Sequence, residues 1–197
     1  MQIRYLALLP MLATAAWLSP LTRAQVPVFA VTPVESTIKF NVKASVPITG
    51  NFDKWDASLT FTSSDVTTAV LDIKIQAATV NTGSGMKNNK LKGKDFFNVE
   101  QDPLITFKST KVVQTGPTTF DVPGTFTIRG VSKQETLTLT VSGKGTGSGG
   151  ITGTMAFDRK DYGMNSGIPF IKIADRVEVD IDLKAKQVSG SRLVYQQ

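Results

Sequence analysis

The strongest constraint on the fold is a period-2 alternation of apolar and polar residues that recurs along most of the chain. Ile38, Phe40 and Val42 alternate with Lys39, Asn41 and Lys43. Trp55, Ala57, Leu59 and Phe61 alternate with Asp56, Ser58 and Thr60, and Leu71, Ile73, Ile75 and Ala77 with Asp72, Lys74 and Gln76. The pattern continues through Ile105–Val113, Phe120–Ile128, Leu137–Val141, Ile151–Phe157 and Val177–Leu183. Successive side chains of a strand point to opposite faces, so each segment presents one wet and one dry face. About eight such strands, joined by short turns, predict an all-β domain. Closing the sheet would remove its exposed edges. The pattern therefore predicts an eight-stranded antiparallel barrel, with a two-sheet sandwich as the alternative.

One stretch interrupts this rhythm. From Asn81 to Thr110 the chain passes through a Gly/Ser turn at Gly83 and Gly85 and a basic run with Lys87, Lys90, Lys92 and Lys94. It then reaches the paired aromatics Phe96 and Phe97. Met86–Lys94 has room for two turns of helix. A connection this long in a small β domain is usually functional or a plug.

The start of the chain reads as a secretory signal. Arg4 supplies the positive charge, Tyr5–Leu18 is mostly apolar, and Thr22 and Ala24 occupy the −3 and −1 positions of a cleavage site between Ala24 and Gln25. The apolar run is too short for a membrane span and contains Pro10. Residues 1–24 are expected to be removed, with an uncleaved anchor as the alternative, 25–190 to form the barrel domain, and 191–197 to be a polar, fraying tail. The product would be periplasmic or secreted. Its net charge would be +4, with 20 basic and 16 acidic residues. That mild excess suits anionic head groups and membrane-surface contact, and equally an ordinary basic soluble protein. No block of Arg interleaved with aromatics points to nucleic acid.

The chain has no Cys and no His. Its stability must come from the core rather than from disulfides. His-based triads, thiol nucleophiles and His-ligated zinc or haem are all excluded. No cofactor or metal ligand set is predicted. An enzyme built on this chain would have to use Asp161, Tyr162 or Lys90, and no catalysis is the preferred expectation.

Three motifs have an ordinary and a functional interpretation. Gly145–Gly150 matches GxGxxG, but a strand rather than a helix follows, so it is a hairpin loop. Asp158, Asp161 and Asp175 near Arg159 are expected to form ion pairs that fix an irregular segment. The Lys run is either a solvated helix face or a head-group site at a barrel mouth. The inward set of Phe40, Trp55, Phe61, Phe107, Phe126, Met155 and Phe157 would be plain core or the lining of a ligand tunnel. Alternation does not decide between them.

Six ordered stretches carry a family resemblance: Ser36-Thr37-Ile38-Lys39-Phe40, Gly50-Asn51-Phe52-Asp53, Leu91–Glu100, Pro103–Thr110, Gly124–Lys133 and Arg159–Met164. Over Phe29–Ala185 the chain resembles the YceI family of exported, lipocalin-like, polyisoprenoid-binding proteins. The resemblance implies an eight-stranded barrel with an apolar tunnel for an isoprenoid lipid or similar amphiphile, such as a polyprenyl phosphate or a quinone. The lipid's polar end would sit at the mouth. It adds the expectation that the seven inward residues line the tunnel and that Lys90 and Arg159 make polar contacts. The chain departs from the family where members usually carry two His, which Ala44 or a neighbour and Lys90 here replace. Pairing into a homodimer stays open, as does a filled barrel serving as a stress-response or protein-interaction module.

Overall fold

The computed structural model describes residues 25–167 and 172–196. The expected signal segment, residues 1–24, lies outside the described residues. The strands are β1 (Val28–Val31), β2 (Thr37–Ala44), β3 (Ile48–Phe52), β4 (Trp55–Thr60), β5 (Val70–Gln76), β6 (Val80–Asn81), β7 (Leu104–Ser109), β8 (Val113–Gln114), β9 (Thr119–Ile128), β10 (Val131–Val141), β11 (Ser148–Asp158) and β12 (Ile173–Ser189). One helix, α1 (Gly85–Lys92), lies between β6 and β7.

The twelve segments reduce to eight strands once bends are recognised. β3 and β4 are one strand bent at Asp53-Lys54, and β5 and β6 are one strand bent by a 3-10 turn at Ala77–Thr79. They pair with each other on both sides of the bend, Phe52 opposite Val80 and Trp55 opposite Ile75. At the corner, Asp53 N–H donates to Thr79 O and Gln76 N–H to Lys54 O. β1 and β2 likewise form one strand interrupted by a 3-10 turn at Pro33–Glu35, and both pair with β12. β8 adds to β9 beyond β7. The antiparallel ladder then runs β2, β3/β4, β5/β6, β7, β9, β10, β11, β12 and back to β2. The sheet curls into the expected eight-stranded barrel. One seam is not laddered: β1 runs beside β4, and the contact there is between the rings of Phe29 and Phe61, 5.7 Å apart.

The observed strands reproduce the expected alternation. β9, whose residues are buried at every second position, shows it most cleanly. β3 is the strand that the pattern does not reveal. Gly50 interrupts its apolar alternation because the Phe40 ring packs against it: a Cβ at Gly50 would fall 2.6 Å from that ring. Gly124 serves the Phe107 ring in the same way. Such aromatic cover makes a strand glycine tolerable.

The Gly-rich loop is shorter than expected. β11 begins at Ser148, and Gly149 and Gly150 pair with Ala185 and Lys184. Gly143, Gly145 and Gly147 hold the turn at φ near +72°, +81° and +78°, which favours residues without a Cβ.

The C-terminal segment is a correction. Rather than fraying, it crosses one end of the barrel. Ser191 N–H donates to Gln25 O, Val194 N–H to Ser64 O, and Val66 N–H to Val194 O. The Gln114 side chain then brackets Gln196, accepting from its N–H and donating to its carbonyl, both at 2.8 Å. A polar tail can be ordered when its backbone groups find partners, and residue type alone does not reveal that.

The opposite end is closed by the long connection. Leu91 is the one buried residue of α1. After it the chain turns tightly, with Phe97 N–H on Leu91 O and Asn98 N–H on Gly93 O. Phe96 and Phe97 are driven into the barrel at 4% and 7% exposure. The Phe97 ring meets those of Phe52 and Phe40 at 5.8 and 6.4 Å. The connection is therefore a plug.

Candidate functional site

The interior of the barrel is lined by the apolar faces of the strands, and among the described residues three cavities border it. The largest, about 250 Å³, is at the end crossed by the C-terminal segment. Phe29, Leu59, Phe61, Phe120, Leu139 and Ile151 surround it, with the Gly143–Gly150 hairpin, Arg192, Leu193 and Tyr195 at its rim. A second, about 80 Å³, sits under the plug among Phe40, Phe52, Phe96, Phe97, Phe126 and Phe157. A third, about 30 Å³, lies between Ile38, Phe107, Phe126, Met155 and Ile181. Phe126 borders both smaller cavities.

Six of the seven expected lining residues reach this interior: Phe40, Phe61, Phe107, Phe126, Met155 and Phe157 are all buried and each borders a cavity. Trp55 does not. The bend at Asp53-Lys54 leaves it half-buried, lining an outer cleft with Lys54, Lys74 and Leu104. Alternation continues through a bend and gives no sign of it, so sequence alone placed Trp55 with the others.

An aromatic stack lies beside the cavity under the plug. Phe126 and Phe157 are 5.0 Å apart, and Tyr162 meets them edge-on at 5.5 and 5.2 Å. Tyr162 is fully buried, and its hydroxyl donates to Glu135 Oε1 at 2.9 Å. Burial first, then the hydrogen bond to Glu135, pushes this phenol well above its ordinary range. It stays protonated and is unsuited to act as a base.

Both expected polar contacts are engaged within the chain. Lys90 Nζ is 2.9 Å from Asp95 Oδ2 and 5.7 Å from the centre of the Phe96 ring. The hydrogen bond from Lys90, together with its charge, lowers the Asp95 carboxyl below its usual range. Arg159 borders the cavity under the plug but is 6% exposed, and four bonds hold it. Its Nε donates to Ala174 O at 3.2 Å, and its Nη1 to Met164 O and to Ser166 O at 3.0 Å. Its Nη2 donates to Asp175 Oδ1 at 3.0 Å. Lys160 also reaches Asp175, at 2.7 Å, and that bond is the main reason the Asp175 carboxyl is lowered.

The carboxylates near Arg159 thus serve structure, as expected. Asp158 caps the 3-10 turn Arg159–Tyr162 by accepting from Lys160 N–H, and Asp161 pairs loosely with Lys133 at 3.5 Å. Arg129, at the tight turn before β10, ties this region to the plug through Gly163 O and Lys94 O.

Apart from Phe61, the residues around the largest interior cavity are those that sequence reasoning missed. The Gly-rich stretch was expected to be a plain hairpin loop and the tail a fraying end, yet both form its rim. The apolar character of Leu193 and Tyr195, two residues apart in an otherwise polar tail, was the available signal.

Comparison with known proteins agrees with this architecture. The UPF0312 protein of Pseudomonas savastanoi pv. phaseolicola is 27% identical over 145 residues, which are 71% of this chain and 74% of that protein. The crystal structure of Burkholderia cenocepacia BcnA superposes with a TM-score of 0.71 at 25% identity, covering 79% of this chain and 99% of BcnA. A polyisoprenoid binding domain from Saccharophagus degradans, implicated in plant cell wall breakdown, superposes with a TM-score of 0.66 at 18% identity, covering 82% of this chain and 99% of that domain. The model of the YceI-like domain matches residues 29–185, which span the laddered barrel from β1 through most of β12. The chain belongs to the YceI family.

Proposed function

We propose that this protein is an exported, non-catalytic carrier that holds a polyisoprenoid or similar single-chain amphiphile inside its barrel. The observation that carries this reading is the apolar cavity of about 250 Å³, in a barrel with two further apolar cavities. That volume is just under the range of roughly 300–1,000 Å³ typical of small-molecule pockets. Each methylene withdrawn from water would contribute about 0.8 kcal/mol. A dry tube therefore suffices for affinity, and no reactive group is needed. The polyisoprenoid binding domain among the structural relatives supports the same class of cargo. A chain longer than the end cavity would have to displace the side chains between it and the two smaller cavities, Phe107 and Met155 among them. Lys90 and Arg159, already paired, would shape the plugged end rather than grip the cargo.

A second reading, a filled barrel that serves as an interaction module, is favoured by one observation. The Phe126, Phe157 and Tyr162 stack leaves only about 80 and 30 Å³ in the rest of the interior. Native mass spectrometry of protein purified without detergent, followed by organic extraction, separates the two. A co-purifying isoprenoid, or uptake of added polyprenyl phosphate or quinone, supports the carrier. A clean mass with no uptake supports the filled barrel.

A further inference from the structure

We propose that the barrel end formed by the Gly-rich hairpin and the C-terminal segment is the mouth that receives an anionic head group, with Lys144 and Arg192 as its cationic contacts. This deepens the carrier reading and rests on it. The first argument is volume. The cavity here is the largest of the three in the barrel and is walled by apolar side chains, whereas the other end is plugged by Phe96 and Phe97. A chain inserted from this end enters existing space.

The second argument is charge. At the plugged end Lys90 is paired with Asp95, Arg159 and Lys160 with Asp175, and Lys133 with Asp161, while among the described residues Lys87, Lys92 and Lys94 form no ion pair but border none of the three cavities. Among the described residues neither Lys144 nor Arg192 forms an ion pair. Arg192 borders the cavity. Lys144 has its ammonium 4.3 Å from the centre of the Tyr195 ring, and that ring also borders the cavity. A cation held on an aromatic face at a cavity rim keeps most of its capacity for an anion, which binds it more strongly than a ring does.

The third argument is the rim itself. Gly143, Gly145 and Gly147 expose backbone without side chains beside the cavity, so a bulky head group can approach closely. The occupant is therefore an amphiphile with one apolar chain and a phosphate or carboxylate head.

The test is calorimetric titration of the purified protein with three probes that share one chain: farnesyl phosphate, the corresponding farnesoic acid anion, and neutral farnesol. Wild type is expected to bind at least one anion about tenfold more tightly than farnesol, with the preference shrinking as salt rises. Which anion it prefers distinguishes phosphate from carboxylate. In K144Q/R192Q the preference should fall to about twofold or less, as loss of two charge-assisted contacts requires, while farnesol affinity is retained. Equal affinity of wild type for all three probes overturns the mouth and leaves the carrier reading intact. So does a preference that survives K144Q/R192Q, or one that disappears in K90Q instead. No uptake of any probe by wild type defeats both. Should the double variant fail to fold, a farnesyl phosphate bearing a benzophenone on its head group decides the matter on wild type. Crosslinks at 143–147 or 192–195 support the proposal, and crosslinks at 90–97 overturn it.

Discussion

Replacing Arg159 with Met asks whether this guanidinium grips cargo or holds the fold. In the structure it donates to the carbonyls of Met164, Ser166 and Ala174 and to the Asp175 carboxylate, at 6% exposure. Hydrogen bonds from a charged donor contribute about 1.5–3 kcal/mol each, and a buried acceptor left alone costs about 1–3 kcal/mol. Part of that cost is recovered because Asp175 is half-exposed and keeps Lys160, so water can enter from its side. The expected loss is about 3–5 kcal/mol, the usual range for breaking a buried charged network. This is a large share of a total stability of roughly 5–15 kcal/mol. Urea unfolding followed by tryptophan emission suits the measurement, because Trp55 is the one Trp outside the expected signal segment. With a slope of about 1–3 kcal/mol per molar urea, the midpoint should fall by about 2 M. A midpoint within about 0.3 M of wild type, together with weakened lipid uptake, would refute the structural role and restore Arg159 as a ligand contact.

Three further outcomes are expected. The raised Tyr162 phenol, and Tyr195 whose phenol burial also raises, keep their protons in the folded state while the unfolded chain releases them near pH 10. Their contribution is therefore complete below about pH 10 and declines above it, by up to about 1.4 kcal/mol per pH unit for buried Tyr162 and by less for partly exposed Tyr195. Y162F should flatten that alkaline decline in denaturation measured from pH 9 to 11, and an unchanged slope would count against the buried Tyr162–Glu135 bond. G153V should lose about 1–3 kcal/mol by overpacking, since a Cβ there lies 2.5 Å from Leu139 Cδ2 and 2.9 Å from Ile181 Cγ1; an unshifted melting temperature would show that this layer has slack. Deleting 193–197 should remove hydrogen-exchange protection at Val66, whose N–H donates to Val194 O, and speed release of bound lipid. Protection that persists at Val66 would show that the segment does not close this end in solution.

Most of the barrel was legible because a strand's two faces are written directly into its residues. Ile38 and Phe40, or Phe120, Val122 and Phe126, must face one way if Lys39, or Asp121 and Thr125, face the other. The plug was legible for a related reason: Phe96 and Phe97 are too apolar to stay on a connection in water. The unreadable parts depend on partners distant in sequence. β3 carries Gly50 where the alternation asks for an apolar side chain because the Phe40 ring fills that space, and nothing beside Gly50 in the chain announces that ring. Trp55 follows the alternation yet leaves the tunnel, because the bend beside it is set by hydrogen bonds to Gln76 and Thr79.

The same division runs through the site. Sequence alone determined that the interior is aromatic and aliphatic, and that no imidazole or thiol is available for chemistry there. Both facts are properties of residue type. Only the tertiary structure decided which end has room and which charges are spoken for. Lys90 and Arg159, expected to contact a ligand, are paired within the chain, whereas Lys144 and Arg192 looked incidental: Arg192 borders the largest cavity inside the barrel, and Lys144 lies over the Tyr195 ring at its rim. A charge's partner and a cavity's volume are both set by where distant segments come to rest, and neither is a property of the residue itself.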